Sequence, residues 1–236
     1  MPIVAKQSEG QSDPIPAGAQ HAVCYGVIDL GTQPPTVATY KPSHRVRIMF
    51  EVPDERIEIE RDGVKVNLPR VISREFILSL GSPKKSTKLC DFLEAWRGRK
   101  FTDQERAGFD LKNVIGANCI LNIVHTSRNG NTYSDISSVA PLMRTMGKRG
   151  METPEVYFTI SDIPDGEPVT IPPSVPEFIR KQIEKSFEFV QRSGAAPHNG
   201  HDNDPPPPDD DDIPFVRLAA DISSEPRIKG FRWVKW

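Results

Sequence analysis

The sequence is short of the features that mark secreted or membrane-spanning proteins. Its 236 residues contain only three cysteines, Cys24, Cys90 and Cys119, and an odd number of widely spaced cysteines favours a reducing compartment over a disulfide-stabilised domain. No stretch approaches the roughly 20 consecutive apolar residues that a membrane span needs, and the first residues lack the apolar run of a secretory signal. We therefore expect a cytoplasmic protein without membrane attachment.

Motifs for catalysis and cofactor binding are lacking as well. The chain has neither a Gly-x-Gly-x-x-Gly nor a Gly-x-x-x-x-Gly-Lys loop, the signatures of dinucleotide and phosphate binding. Cys119 and His125 lie six residues apart, but no second pair joins them at the spacing of a metal site. We expect no enzymatic activity, no metal and no cofactor, which leaves binding as the favoured class of function.

Charged residues are unevenly distributed along the chain. Residues 41–150 hold 20 Lys and Arg against 13 Asp and Glu, a net charge of +7, whereas residues 151–212 hold 4 against 14, a net charge of −10. A basic body joined to an acidic tail favours a polyanionic ligand for the body. A solvated surface with an unrelated tail is the alternative explanation of the same counts.

Alternation of apolar and polar residues predicts a mainly β body. In residues 44–52, Val46 and Ile48 fall on one face of a strand, and Arg45 and Arg47 fall on the other. We expect the first face to cover a core and the second to show its cations to solvent. Five strands are predicted, at about 20–32, 44–52, 71–80, 118–125 and 132–139, with a ribbon or long loop at 54–67.

The order of these elements predicts the fold class. Phe92 and Trp96 have helical spacing within a predicted helix over 84–97, which lies between the third and fourth strands. The Asn129-Gly130 pair predicts a tight hairpin turn between the last two strands. Three strands, a helix and two strands are the chain order of the OB-fold, which binds oligonucleotides across one face. We therefore predict a five-stranded OB-type barrel with one or two helices.

Composition divides the chain into four parts. We expect a flexible arm at 1–14, an OB-type domain at 15–145, a linker with an amphipathic helix at 146–192, and a disordered acidic Pro- and Asp-rich tail at 193–236 with a basic aromatic extension at its end. The helix is predicted over 177–192 from the apolar stripe that includes Ile179 and Ile183. Its expected role is to dock on the barrel or on a second subunit.

Cations that follow phosphates and aromatic rings that stack on bases are the two requirements for binding single-stranded nucleic acid. Arg45 and Arg47 carry most weight, because they project away from the predicted core face. Trp96 has core packing as an alternative, because it shares a helical stripe with Phe92. The expected DNA-binding residues are Tyr25, Tyr40, Lys41, Arg45, Arg47, Arg74, Lys84, Lys85, Lys88, Trp96, Lys112, Arg128 and Tyr133.

The tail contains a block of carboxylates followed by a compact apolar tip: Asp209, Asp210, Asp211, Asp212, Ile213, Pro214 and Phe215. A partner with a basic rim around a hydrophobic pocket would fit this pattern. The carboxylates would steer the encounter, and Phe215 would fill the pocket. We expect these residues to bind partner proteins.

This tip resembles the acidic tip of bacterial single-stranded DNA-binding proteins, which ends in Asp-Asp-Asp-Ile-Pro-Phe. The body, through Val27–Gln33, Leu111–Gly116 and Asn131–Ser138, resembles phage-encoded OB-fold single-stranded DNA-binding proteins. The resemblance covers about residues 15–145 and the tip. In the bacterial family the Phe is the last residue and its α-carboxylate contacts partners, whereas 21 residues follow Phe215 here.

The resemblance and the charge pattern together predict sequence-independent binding and protection of single-stranded DNA in replication, recombination or repair. The expected setting is the cytoplasm of a bacterium or of a phage-infected host. The tail would recruit replication, recombination or repair proteins, and a homo-oligomer is compatible with the sequence. Two alternatives stay open: an OB-type interaction adaptor without significant DNA binding, and a nuclease, which a metal-dependent loss of substrate would reveal.

Overall fold

The computed structural model describes residues 13–193, except 36, 38, 62, 63, 83, 165 and 166. The first twelve residues of the predicted arm lie outside the described residues. Residues 194–236, which contain nearly all of the predicted tail, lie outside them as well.

The described residues form a mainly β structure with a few short helices. The strands are β1 (Gly18–Gln33), β2 (Ser43–Arg61), β3 (Val64–Ile77), β4 (Asn118–Arg128), β5 (Asn131–Pro141) and β6 (Val156–Phe158). The helices are α1 (Lys88–Arg97), α2 (Asp103–Ala107), α3 (Glu177–Ile183) and α4 (Phe187–Ser193), with 3-10 turns at Leu111–Val114 and Ile160–Asp162. None of the helices in the described part of the chain has the length and apolar character that crossing a bilayer requires.

Five strands form an antiparallel sheet in the order β3-β2-β1-β4-β5, and β6 pairs in parallel with β1. The predicted barrel is not closed, because β3 and β5 form no strand pair among the described residues. Arg74 of β3 instead spans the gap, and its guanidinium donates to the carbonyl oxygens of Ile136 (2.8 Å) and Ser137 (3.3 Å) on β5. A side chain therefore stands where a closed barrel would have a ladder of backbone hydrogen bonds.

The segment at 54–67, predicted as a ribbon or long loop, is a two-stranded extension of β2 and β3. Ile57 pairs with Leu68, and Ile59 pairs with Val66. Directly paired residues point to the same face of a ribbon, so these four apolar side chains share one face. Of the two predicted forms, the structure has the ribbon, with one apolar side.

The inner face of the sheet packs against α1, and we call this cluster the inner core. The Phe50 ring of β2 lies 6.2 Å from the Phe92 ring and 5.2 Å from the Trp96 ring, centroid to centroid. α1 begins at Lys88, four residues later than predicted, because the Thr87 side chain accepts the backbone N–H of Cys90 as an N-cap. Burial of each such aromatic side chain contributes roughly 1.5–3 kcal/mol to folding.

The outer face of β1 and β2 is also buried, by residues 151–193, which we call the C-terminal segment. Ile28 and Met49 on the sheet pack with Phe158, Ile179 and Ile183 of this segment in an outer core. The expectation that the outer face of β2 shows its side chains to solvent is therefore wrong along much of the strand. A second apolar layer covers it.

Two glycines of β1 permit this close approach. A Cβ at Gly26 would lie 2.6 Å from the Met49 side chain and 2.7 Å from the Val156 carbonyl oxygen. Gly31 has φ +71°, and a Cβ there would lie 2.7 Å from Ser186 and 2.8 Å from Ile160. Larger residues at these positions would push the C-terminal segment off the sheet.

The single helix predicted over 177–192 is wrong, because the structure has two helices of seven residues each. The backbone N–H of Ser186 donates to Ile183 and its hydroxyl accepts from Phe189 N, so the chain turns between α3 and α4. Ser186 is buried where the Gly31 backbone leaves room for it. Packing against β1 has therefore overridden a continuous helical pattern.

Candidate nucleic-acid interface

Arg45 and Arg47 lie side by side on the outer face of β2, as the alternation predicts. Both guanidinium groups bond to the carboxylate of Glu75 on β3, at 3.0 and 2.8 Å. Arg47 also donates to the side chains of Ser73 (3.1 Å) and Gln182 (3.1 Å), the latter from α3. Only 20 % of the Arg45 side chain and 14 % of the Arg47 side chain are exposed. The pair is thus a largely covered cluster in which two guanidinium groups share the carboxylate of Glu75.

Two of the aromatic residues expected to stack on bases are buried. Tyr25 lies in the outer core, where its hydroxyl donates to the Met49 sulfur at 3.7 Å and burial raises the pKa of the phenol to about 12. Trp96 lies in the inner core and its indole N–H donates to the Asn118 carbonyl oxygen at 3.1 Å. Neither ring offers a face to a base, so both are corrected from stacking residues to core residues.

Arg74 is a third correction, because its guanidinium is committed inside the structure. In addition to its bonds across the gap between β3 and β5, it lies 5.3 Å from the centroid of the Phe76 ring and 5.7 Å from that of Phe92. A cation on two aromatic faces with carbonyl acceptors is a structural arrangement. Its role is to hold the open side of the sheet together.

Five other residues of the expected DNA-binding set lie on exposed loops or at the ends of elements. Tyr40 and Lys41 are exposed in the connection between β1 and β2. Lys84, Lys85 and Lys88 are exposed between β3 and the start of α1. Because Leu78 N donates to the His44 carbonyl oxygen at 2.7 Å, the chain leading to these lysines leaves the sheet beside the start of β2.

Two cation–aromatic pairs stand at other places in the fold. The Arg128 guanidinium lies 5.9 Å from the centroid of the exposed Tyr133 ring on the β4–β5 hairpin, and it also bonds to Asp135 at 2.9 Å. The Lys112 ammonium lies 5.0 Å from the centroid of the Tyr157 ring. These pairs offer an aromatic surface next to a positive charge, the combination that single strands need.

Sequence reasoning missed three residues that shape the arginine cluster: Glu75, Gln182 and Phe178. Phe178 is 61 % exposed, and the Arg47 guanidinium lies 5.7 Å from its ring centroid. One signal was present, because Phe178 does not belong to the apolar stripe of Ile179 and Ile183 and so had to face away from the core. The hydrogen bonds of Gln182 to Arg47 and Glu75 depend on tertiary packing, so the spacing of residues in the sequence does not predict them.

Comparison with protein-family models, with curated proteins and with solved structures finds no match for this chain. Within the part of the chain that the structure describes, no three His, Cys, Asp or Glu side chains are grouped so that they could hold a metal ion. The expected partner-binding residues 209–215 lie outside the described residues. The candidate interface is therefore the part of the outer face around Arg45, Arg47 and Glu75, near the start of β2, with the exposed cations beside it.

Proposed function

We propose that this protein binds single-stranded DNA without sequence preference, on an OB-type body, and protects it during replication, recombination or repair. The observation that carries the proposal is the strand order β3-β2-β1-β4-β5 with α1 between β3 and β4. We interpret strands in this order, bridged by Arg74 at the remaining gap, as an OB-type barrel that is open on one side. The net charge of +7 over residues 41–150 supports a polyanionic ligand for this body.

The proposal extends to the tail. Residues 209–215 carry the carboxylate block and the apolar tip that resemble the partner-binding end of bacterial single-stranded DNA-binding proteins. We propose that they recruit replication, recombination or repair proteins. Because the tip and the body belong to one chain, partners bound at the tip would be kept at a high effective concentration near bound DNA.

Titration of labelled poly-dT oligomers with the full chain, at several salt concentrations, tests the proposal. Fluorescence anisotropy of the oligomer is the appropriate signal, because Trp96 is buried and will not report stacking. We expect affinity to fall with salt at a log–log slope of roughly −0.7 per phosphate neutralised. A flat salt response, or a strong preference for one duplex sequence, would contradict the proposal.

A double variant, Arg45→Gln with Arg47→Gln, asks whether the arginine cluster contributes. We expect weaker binding and a slope shallower by roughly 1.4, because two phosphate contacts are lost. Adding Glu75→Gln removes the carboxylate that would otherwise be left without its cations, and the slope should stay shallow. The matched control, Lys65→Gln with Arg99→Gln, removes two exposed cations outside the proposed set and should keep the parent slope. If the two double variants behave alike, the arginines serve only the structure.

One observation favours the alternative of an OB-type adaptor. Both arginines of the outer face are bonded to Glu75, and α3 covers part of their surface through Gln182. This arrangement lowers the positive potential that a phosphate would meet there. Weak binding of poly-dT at low salt, combined with an intact fold, would support the adaptor and leave the tail as the functional part.

A further inference from the structure

Phe178 is an aromatic ring that the fold leaves exposed. Its neighbours Ile179 and Ile183 on the same helix have no solvent exposure, whereas 61 % of Phe178 is exposed, more than any other aromatic side chain in the described residues. The ring contributes little to the outer core, because it points away from it. A large apolar group in this position invites a partner surface.

The ring has a cation against one face that the protein holds in place. The Arg47 guanidinium lies 5.7 Å from the ring centroid, and bonds to Ser73, Glu75 and Gln182 fix its position. Since these contacts already restrict the arginine side chain, a ligand that binds there loses little additional side-chain entropy. With 61 % of Phe178 exposed, much of the residue's surface remains open to a ligand.

The surroundings of the ring carry cations and further apolar surface. Arg45 and Arg47 both bond to the carboxylate of Glu75, and Glu177 on α3 is paired with Lys181 at 2.9 Å. Ile77, which is 40 % exposed, is the register partner of Arg45 on β3. Apolar surface next to cations suits a ligand with flat bases and phosphates better than an uncharged apolar one.

We propose that the Phe178 ring, backed by Arg47, is a stacking site for an unpaired nucleobase, and that Arg45 and Arg47 attract the adjoining phosphates. This inference rests on the proposed binding of single-stranded DNA and names a ligand contact contributed by the C-terminal segment. The segment that closes the outer core would thus also complete the DNA-binding face. Phe178 adds an aromatic contact where Tyr25 and Trp96 are buried.

Phe178→Ala in the full chain tests this directly, with a labelled poly-dT oligomer as the probe. We expect the dissociation constant to rise about 5- to 100-fold, the range for loss of one base–aromatic stack. The log–log salt slope should not change, because no charge is removed. Phe178→Leu keeps an apolar side chain without a π face and should show a similar loss, whereas Phe178→Trp should retain affinity and be quenched by the oligomer.

Phe187→Ala is the matched control, because Phe187 lies on α4 and is also half exposed. It should change the dissociation constant less than 2-fold. An oligomer carrying 5-iodouracil should crosslink under ultraviolet light to the peptide that contains Phe178 and not to the one that contains Phe187. Thermal unfolding of each variant checks that the C-terminal segment is still folded.

The outcomes separate the two proposals. If the parent chain binds no poly-dT, the proposed function fails and the stacking site fails with it. If the parent binds and Phe178→Ala and Phe178→Leu bind equally well, only the stacking site is wrong. If Phe178→Ala lowers self-association in sedimentation experiments and leaves DNA affinity unchanged, the ring is a contact between copies of the chain and the inference is overturned.

Discussion

The two faces of the sheet are closed by different means. α1 covers the inner face with apolar side chains and brings its own backbone hydrogen bonds and N-cap. The part of the C-terminal segment that precedes α3 covers the outer face with little regular structure, so its backbone N–H groups need acceptors from elsewhere. Buried carboxylates on the sheet supply them. A helix can be added to a sheet by apolar contact alone, but an irregular segment needs polar groups placed to receive it.

Glu51 and Asp29 are the acceptors on the outer face. The buried Glu51 carboxylate of β2 accepts the backbone N–H groups of Glu152 (2.9 Å) and Thr153 (2.7 Å). The Asp29 carboxylate of β1 accepts the N–H of Ile160 and the Thr159 hydroxyl, each at 3.2 Å. These bonds fasten the start of the C-terminal segment to the middle of the sheet.

The largest expected effects come from removing a phenylalanine from each core. Phe50→Ala, in the inner core, should lower the free energy of unfolding by about 3–5 kcal/mol, the usual cost of a buried Phe. Phe158→Ala, in the outer core, should lower it by less than about 2 kcal/mol, because the C-terminal segment can open without unfolding the sheet. Urea denaturation measures the first quantity, and hydrogen exchange of residues 156–183 measures local opening.

Equal losses in the free energy of unfolding for Phe50→Ala and Phe158→Ala would contradict the expected difference between the two cores. In that case hydrogen exchange would show residues 156–183 and the strands opening together, and the two cores would form one cooperative unit. If the faces differ as expected, exchange in Phe158→Ala should accelerate in residues 156–183 and stay at the parent rate in β1 and β2.

Glu51→Ala tests whether a carboxylate fastens the C-terminal segment. Two backbone N–H groups would lose their acceptor, and an unsatisfied buried donor costs about 1–3 kcal/mol. Opening of the C-terminal segment limits the effect as it does for Phe158→Ala, so we expect a loss of about 1–2 kcal/mol in the free energy of unfolding. Glu58→Ala, at an exposed position of the same strand, should change it by less than about 0.5 kcal/mol. Equal effects of the two substitutions on thermal unfolding would show that the N–H groups find water instead.

The smallest expected effect concerns His44, which joins both parts of the outer face. Its imidazole lies 2.6 Å from the Asp29 carboxylate and 3.9 Å from the Glu188 carboxylate of α4. The hydrogen bond to Asp29 raises the pKa of His44, although partial burial opposes it. Burial raises the pKa of Asp29, but the hydrogen bonds from His44 and from the backbone outweigh it and the pKa is lowered. The pKa of Glu188 is also lowered, because bonds from Thr32 outweigh its burial.

The direction of the pH dependence follows from these shifts. A raised pKa means that the contribution of His44 is complete below roughly pH 6.5, the value of an unperturbed histidine, and is lost as pH rises through the folded-state pKa. The lowered pKa values of Asp29 and Glu188 mean that their contributions are lost only as pH falls through those values. His44→Asn should therefore cost about 1 kcal/mol near pH 6 and less at pH 9.

Thermal unfolding of His44→Asn and the parent at pH 6 and pH 9 measures this difference. His125→Asn is a suitable control, because the His125 ring contacts a neutral acceptor, the Ile15 carbonyl oxygen, at 2.8 Å. A stability difference between His44→Asn and the parent that grows from pH 6 to pH 9 would contradict the assigned charge on His44.

The inner half of the fold could be predicted from local patterns. Alternation located the five strands of the main sheet, and three of them agree with the structure within a few residues. β2 ends later than predicted, at Arg61, and β3 begins earlier than predicted, at Val64. The Asn129-Gly130 turn has positive φ at both residues, as a tight hairpin requires.

That the outer face is also buried was harder to predict, although the sequence of β1 carried one signal. β1 is buried almost continuously from His21 to Gln33, and a strand covered on both faces reads as an apolar run without alternation.

The candidate site was predicted in part. Arg45 and Arg47 lie together on one face because alternation along a strand is local and dependable. Tyr25 and Trp96 were assigned as stacking residues from residue type, which does not distinguish a ring in a core from a ring on a surface. Phe178 was missed because it lies beside Arg47 in the folded chain, although the two residues are 131 positions apart in the sequence.

The sequence by itself determined the order of the main strands, the inner core and the separation of a basic body from an acidic tail, since each depends on the spacing and type of nearby residues. Only the tertiary structure decided what covers the second face of the sheet. That choice depends on Gly26 and Gly31 leaving room, and on Glu51 and Asp29 accepting N–H groups more than 100 residues away. Steric room and hydrogen-bond geometry exist only once distant segments meet, so local pattern does not record them.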